Sequence, residues 1–119
     1  MIERIEINSV HAQVDDDLKK YVNKKIGNLD KYMSKHAKAS AHVEVKLKES
    51  HSKDKKQCQC EVILHLPEDT LVVKESTINM YAAADIVEAK LKNQIKKYKD
   101  IHESAKFRQR VIRRFRRQI

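Results

Sequence analysis

The stretch Asn79–Lys99, NMYAAADIVEAKLKNQIKKYK, decides the fold. Met80, Ala84, Val87, Leu91, Ile95 and Tyr98 recur at steps of three and four, which places them on one face of a helix. Lys90, Lys92, Lys96, Lys97 and Lys99 fall to either side of that face. A helix of this pattern lies on a core and presents cations outward. Ser76 or Thr77 can cap its start, and Asn79 serves if the helix begins later.

Working outward, the preceding chain alternates with a period of two. Ala41, Val43, Val45 and Leu47 alternate with His42, Glu44, Lys46 and Lys48, and Cys58, Cys60, Val62, Leu64 and Leu66 alternate with Gln57, Gln59, Glu61 and His65. Leu71 and Val73 continue the pattern. These are three strands with one apolar face, as in an antiparallel sheet covered on one side. Glu49–Lys56, ESHSKDKK, reads as a mobile polar hairpin loop, and Pro67-Glu68-Asp69 as the second turn.

Further toward the N-terminus, Ile2, Ile5 and Ile7 mark a first strand, and Val10 to Val14 a connector. Asp15 supplies an N-cap, with Asp16 and Asp17 in the first helical turn, where the backbone dipole favours acids. The helix is expected to run to about Ser34 or Lys35, with Leu18, Val22, Ile26, Leu29 and Met33 as its apolar stripe and Tyr21 and Tyr32 on one margin. Gly27 would then lie mid-helix at a cost of about 1 kcal/mol relative to Ala. Lys20, Lys24 and Lys31 face outward, while Lys19 and Lys25 flank the stripe. Both helices must bury their stripes, so the fold class is α+β, β-α-β-β-β-α, a four-stranded sheet with two helices packed on one face.

Composition narrows the function. The 119 residues suit one compact domain with a modest core. No apolar run approaches the ~18 residues a membrane helix requires, and the N-terminus lacks the regions of a secretory signal, so the expected location is cytoplasmic. The net charge of +9 is uneven: Ile101–Ile119 holds seven cations against the single acid Glu103, whereas residues 1–100 hold nineteen cations and sixteen acids. The chain therefore divides into a domain, 1–100, and an arginine-rich tail, 101–119, expected to be partly disordered until it meets a polyanion. Arg113, Arg114, Arg116 and Arg117 are its candidate RNA contacts, since guanidinium groups bond phosphate bidentately.

Chemistry beyond binding finds few residues to carry it. Cys58 and Cys60, two apart on one strand, read as reduced buried thiols. His42 and His65 can face each other on the polar side of adjacent strands, but two histidines without a third ligand do not make a zinc site. A single Gly leaves no phosphate-cradling loop and no nucleophile elbow, and the sheet carboxylates lack an enclosing pocket. No enzyme activity, metal or cofactor, and no small-molecule substrate, is expected. Scattered lysines on one helix are most often a solvated face. Two helices side by side over one sheet change this, because the Lys19/Lys25 margin and the Lys90/Lys97 margin would converge into one groove beside Tyr21 and Tyr32.

Tyr81-Ala82-Ala83, Asp85, Lys90-Leu91, Gln94-Ile95 and Lys97 together resemble the closing helix of the ribosome hibernation-promoting factor family, also known as ribosome-associated inhibitor or protein Y. The resemblance spans roughly residues 1–100. The family pattern has an acid before Met-Tyr, a large aliphatic after the alanines and an arginine before the Gln. Here Asn79, Ala84 and Asn93 stand there, which keeps a cap, thins the core and removes one expected phosphate contact. The resemblance implies a monomeric short-form factor that binds the small ribosomal subunit in stress or stationary phase. It would occupy the decoding channel at the A and P sites and exclude messenger and transfer RNA, with ribosomal RNA contacts from Lys19, Lys24, Lys25, Lys90, Lys92, Lys96 and Lys97. The order αβββα also resembles a double-stranded RNA-binding domain, so a general structured-RNA module is one alternative; a protein-interaction modulator of transcription is the other.

Overall fold

The computed structural model describes the backbone of residues 2–52 and 55–118, and the side chains of 2–51 and 55–101. The elements are β1 (Arg4–Val10), α1 (Asp16–Gly27), a 3-10 turn (Asn28–Tyr32), α2 (Lys35–Ser40), β2 (His42–Ser52), β3 (Lys55–His65), β4 (Thr70–Thr77) and α3 (Met80–Gln118). The strands lie in the order β1-β2-β3-β4. β2, β3 and β4 are antiparallel neighbours, but β1 runs parallel to β2, pairing Ile5 with Val43 and Ile7 with Val45. The sheet is therefore mixed, where the alternation had suggested a purely antiparallel one. A parallel pair needs a long crossover, and α1, the 3-10 turn and α2 form it.

The apolar face behaves as the alternation requires. Val43, Val45, Leu47, Cys60, Val62 and Leu64 are buried beneath the helices, and from α3 the residues Ala84, Val87, Leu91 and Ile95 are fully buried against them. Asp15 caps α1, its Oδ1 accepting the Leu18 N–H at 2.8 Å. Asn79 is the residue that caps α3, Oδ1 accepting the Tyr81 N–H at 2.9 Å, while Thr77 Oγ1 accepts from the Asn79 N–H at 3.0 Å and shapes the approach.

Three expectations are corrected. The first helix ends at Gly27, about seven residues early. The buried Gly27 offers its carbonyl to the Ile2 N–H at 3.0 Å, so the entering N-terminal chain lies directly against the helix end. The chain then tightens into the 3-10 turn, which still buries Leu29. Ser34 starts α2 by accepting the Ala37 N–H at 3.2 Å on Oγ. Second, the polar hairpin expected at Glu49–Lys56 is mostly strand, with Ser50 opposite Gln57 and Ser52 opposite Lys55. A polar cross-strand pair helps hold it, Glu49 reaching Lys56 on β3 at 3.4 Å, and Glu49 also meets His51 on its own strand at 3.2 Å. Lys53 and Asp54 lie outside the described residues. Third, the backbone passes Asp100–Ile101 without a break and stays helical to Gln118, where a partly disordered tail was expected. Once a helix is nucleated each added residue needs only propagation, and this stretch has no Gly or Pro.

Candidate nucleic-acid interface

α3 rotates about 100° per residue, so its apolar stripe leaves two distinct margins. Tyr81, Asp85, Glu88, Lys92 and Lys96 follow one margin, toward α1 and the 3-10 turn; Lys90 and Lys97, two turns apart, follow the other, toward β4. The α1-side margin is split by charge.

Beside the first turns of α3 the seam is an internally satisfied network. The Tyr21 hydroxyl donates to Asp85, and Lys25 Nζ lies 3.8 Å from Asp85 and 3.5 Å from Glu88. The same ammonium is 5.6 Å from the Tyr21 ring centroid. Tyr81 meets Tyr21 edge to face, with centroids 5.0 Å apart and planes at 65°. The hydrogen bond to Asp85, then burial, then the nearby carboxylate charges push the Tyr21 phenol up to about 12.

Further along, the sign reverses. Tyr32, at the end of the 3-10 turn, is surrounded by three ammonium groups: Lys92 Nζ lies 4.9 Å from the ring centroid, Lys31 Nζ 5.2 Å and Lys96 Nζ 5.4 Å. Hydrogen bonding from Lys92 foremost, with the charges of Lys31 and Lys92, lowers the Tyr32 phenol below its ordinary value against a smaller opposing effect of burial. Among the described residues none of these three lysines pairs with a carboxylate. Lys25, Lys38, Lys46, Lys56 and Lys90 all do.

The sequence-derived candidates are thereby sorted. Lys92 and Lys96 come together. Lys25 is held by two acids, and Lys90 reaches across to Glu75 on β4. Lys19, Lys24 and Lys97 are exposed. Lys90 and Lys97 lie on the far margin of α3 and do not converge with Lys19 and Lys25; the lysines that converge are Lys31, Lys92 and Lys96, at the Tyr32 ring. Lys31 was missed because a continuous helix directs it outward, whereas the tighter 3-10 winding redirects it to Tyr32. Its adjacency to a half-buried tyrosine was the available signal. The side chains of Arg113, Arg114, Arg116 and Arg117 lie outside those described.

His42 and His65 face each other as expected, stacked at 4.3 Å with planes at 11°, and His65 Nε2 lies 3.2 Å from Glu44 Oε2. No group of three or more metal-ligating side chains is placed to hold an ion among the described residues. A cleft of about 460 Å³ lies beside the starts of α1 and α3, between Ala12, Glu49, Cys58 and Ile78. Asp15 at its edge is spent on capping and Glu49 on Lys56. Both cysteines are unpaired and buried. No described helix is long and apolar enough to cross a membrane.

Comparison with known proteins bears on family and fold. Residues 5–103 match the family described as Sigma 54 modulation protein / S30EA ribosomal protein. A curated relative, the ribosome hibernation promotion factor of Staphylococcus aureus (strain COL), is 35% identical over 96 residues, which is 81% of this chain and 48% of that protein. The chain thus spans about half the length of that relative. Among solved structures, the N-terminal domain of Thermus thermophilus protein Y superposes with a TM-score of 0.63 at 26% identity, covering 82% of this chain and 97% of that one. A ribosomal subunit interface protein from Coxiella burnetii reaches a TM-score of 0.65 at 16% identity, covering 81% and 97%, a likeness of fold.

Proposed function

The chain belongs to the Sigma 54 modulation protein / S30EA ribosomal protein family, and on that premise we propose that it is a ribosome hibernation factor acting in the cytoplasm. It binds the small subunit at the decoding channel, over the A and P sites, and blocks messenger and transfer RNA by occupying their space. The observation that carries this reading is the cluster of Lys31, Lys92 and Lys96 on Tyr32, three cations that converge on one ring and, among the described residues, pair with no acid. Such a cluster suits closely spaced RNA phosphates and recognises charge and shape with little base reading.

In this reading residues 1–100 are the ribosome-binding unit, a monomer. Lys19, Lys24, Lys25, Lys90 and Lys97 add weaker phosphate contacts around the cluster. The basic arm 101–119 extends the cationic path through Arg113, Arg114, Arg116 and Arg117. The action is steric, with no catalytic step, cofactor or small-molecule substrate.

Sedimentation of the purified chain with ribosomes and separated subunits, at low and high salt, tests the reading. Co-migration with the small subunit and the whole ribosome, lost as salt rises, is the expected result. Absence of co-migration at low salt overturns it. Binding that survives ribonuclease treatment would favour a protein partner instead.

A further inference from the structure

Resting on that reading, we propose that Tyr32 is the positioning residue of a phosphate subsite made by Lys31, Lys92 and Lys96. Its ring gathers the three ammonium groups, and its hydroxyl donates toward the bound RNA phosphate.

Lys92 and Lys96 both project from α3. Four residues apart on one helix, they are neighbours that repel each other, and each long side chain has many rotamers to visit. Lys31 approaches from a different element. Nothing in their own chemistry would bring three like charges together. A tyrosine ring does, because its electron-rich face attracts cations, and all three nitrogens lie within 5.4 Å of its centroid. Lys92 Nζ is the nearest of the three, 4.9 Å from the centroid. With ammonium groups around the ring and, among the described residues, no acceptor for its hydroxyl, the phenol O–H can donate outward. Tyr21 supplies the contrast within the same seam. It meets two acids and one lysine, and its hydroxyl donates inward to Asp85. One tyrosine is sealed into the fold by carboxylates; the other is left with cations that an external anion can satisfy. A phosphodiester backbone fits because its closely spaced charges can satisfy several ammonium groups at once.

The test compares the wild-type chain with Tyr32→Phe, Tyr32→Leu and Lys92→Gln/Lys96→Gln. Binding is measured on purified small subunits and, separately, on a single-stranded oligouridylate of about 20 nucleotides, over a salt series. Tyr32→Leu is expected to bind about tenfold more weakly, with the slope of log affinity against log salt reduced by about 0.7–0.9 or more, the loss of at least one phosphate contact. Tyr32→Phe, which keeps the ring, should retain most of that slope. Adding Tyr32→Leu to the lysine double variant should cost little more, since its partners are already gone.

A folded Tyr32→Leu with wild-type affinity and slope on both probes overturns the inference and leaves the hibernation reading standing. Oligouridylate binding that depends on Tyr32, without subunit binding, overturns the hibernation reading and supports the subsite. Failure of the wild type on both probes overturns both. Displacement of the oligouridylate by polyglutamate at equal charge would overturn the preference for phosphate. Should Tyr32→Leu fail to fold, the lysine variant decides through the Tyr32 phenol itself, followed by absorbance. Its acidity should fall when the lysines are neutralised, and an unchanged titration overturns the clustering.

Discussion

Asp85 shows how one side chain sets the chemistry of its neighbours. Accepting from Tyr21 and pairing with Lys25, it keeps the phenol protonated far into alkali, up to about 12. Asp85→Asn should return Tyr21 toward the ordinary value of 10.0, a shift that absorbance at the phenolate band would register. An unchanged titration would mean that Asp85 is not the cause. The sign also fixes a pH window for stability. A phenol whose folded pKa is raised contributes fully below 10.0 and loses its contribution as pH climbs toward about 12. Cys60 behaves alike for a different reason: burial alone pushes its thiol up to about 12. At pH 8 iodoacetamide should leave Cys60 unmodified in the folded protein and alkylate it after unfolding. Rapid labelling of the native protein, seen by mass spectrometry, would contradict the burial.

Among the elements, caps and stripes are the features most legible in the sequence. Asp15→Ala removes the acceptor for the Leu18 N–H and should destabilise the domain by about 1 kcal/mol in denaturant unfolding. Leu91→Ala opens a cavity at the centre of the α3 stripe and should cost about 2–5 kcal/mol, a large share of the stability of a domain this size. If Leu91→Ala left the midpoint unchanged, the packing of α3 on the sheet would be wrong. Asp15 and the stripe were readable because capping and periodicity are local physics. The end of α1 was not, because it depends on Ile2 arriving at the Gly27 carbonyl, an encounter between residues distant in sequence. The parallel pairing of β1 was hidden for the same reason: alternation gives the faces of a strand but not its direction. The polar ends of β2 and β3 look like a loop because they carry no apolar periodicity, yet cross-strand pairs such as Glu49 with Lys56 hold them as strands. The candidate surface was half legible, in that Lys92 and Lys96 follow from helical spacing while Lys31 needed the 3-10 turn.

For the whole molecule, the proposed function turns on which margin of α3 would meet RNA. The net charge of residues 1–100 is small, so affinity depends on where the unpaired cations collect. The two margins can be set against each other at equal formal charge. Lys92→Glu/Lys96→Glu reverses the margin facing Tyr32, and Lys90→Glu/Lys97→Glu reverses the margin facing β4, where Lys90 already pairs with Glu75. Both pairs change net charge by the same amount, so any nonspecific electrostatic loss is common to them. If RNA lies along the Tyr32 seam, the first pair should weaken small-subunit binding about 100-fold or more. The second should weaken it about tenfold or less and cost some stability through repulsion from Glu75. Equal losses would mean a contact surface spanning the full width of α3. A reversed order would place the interface on the β4 side, and would remove the three-lysine cluster as its centre even if the chain still halts ribosomes.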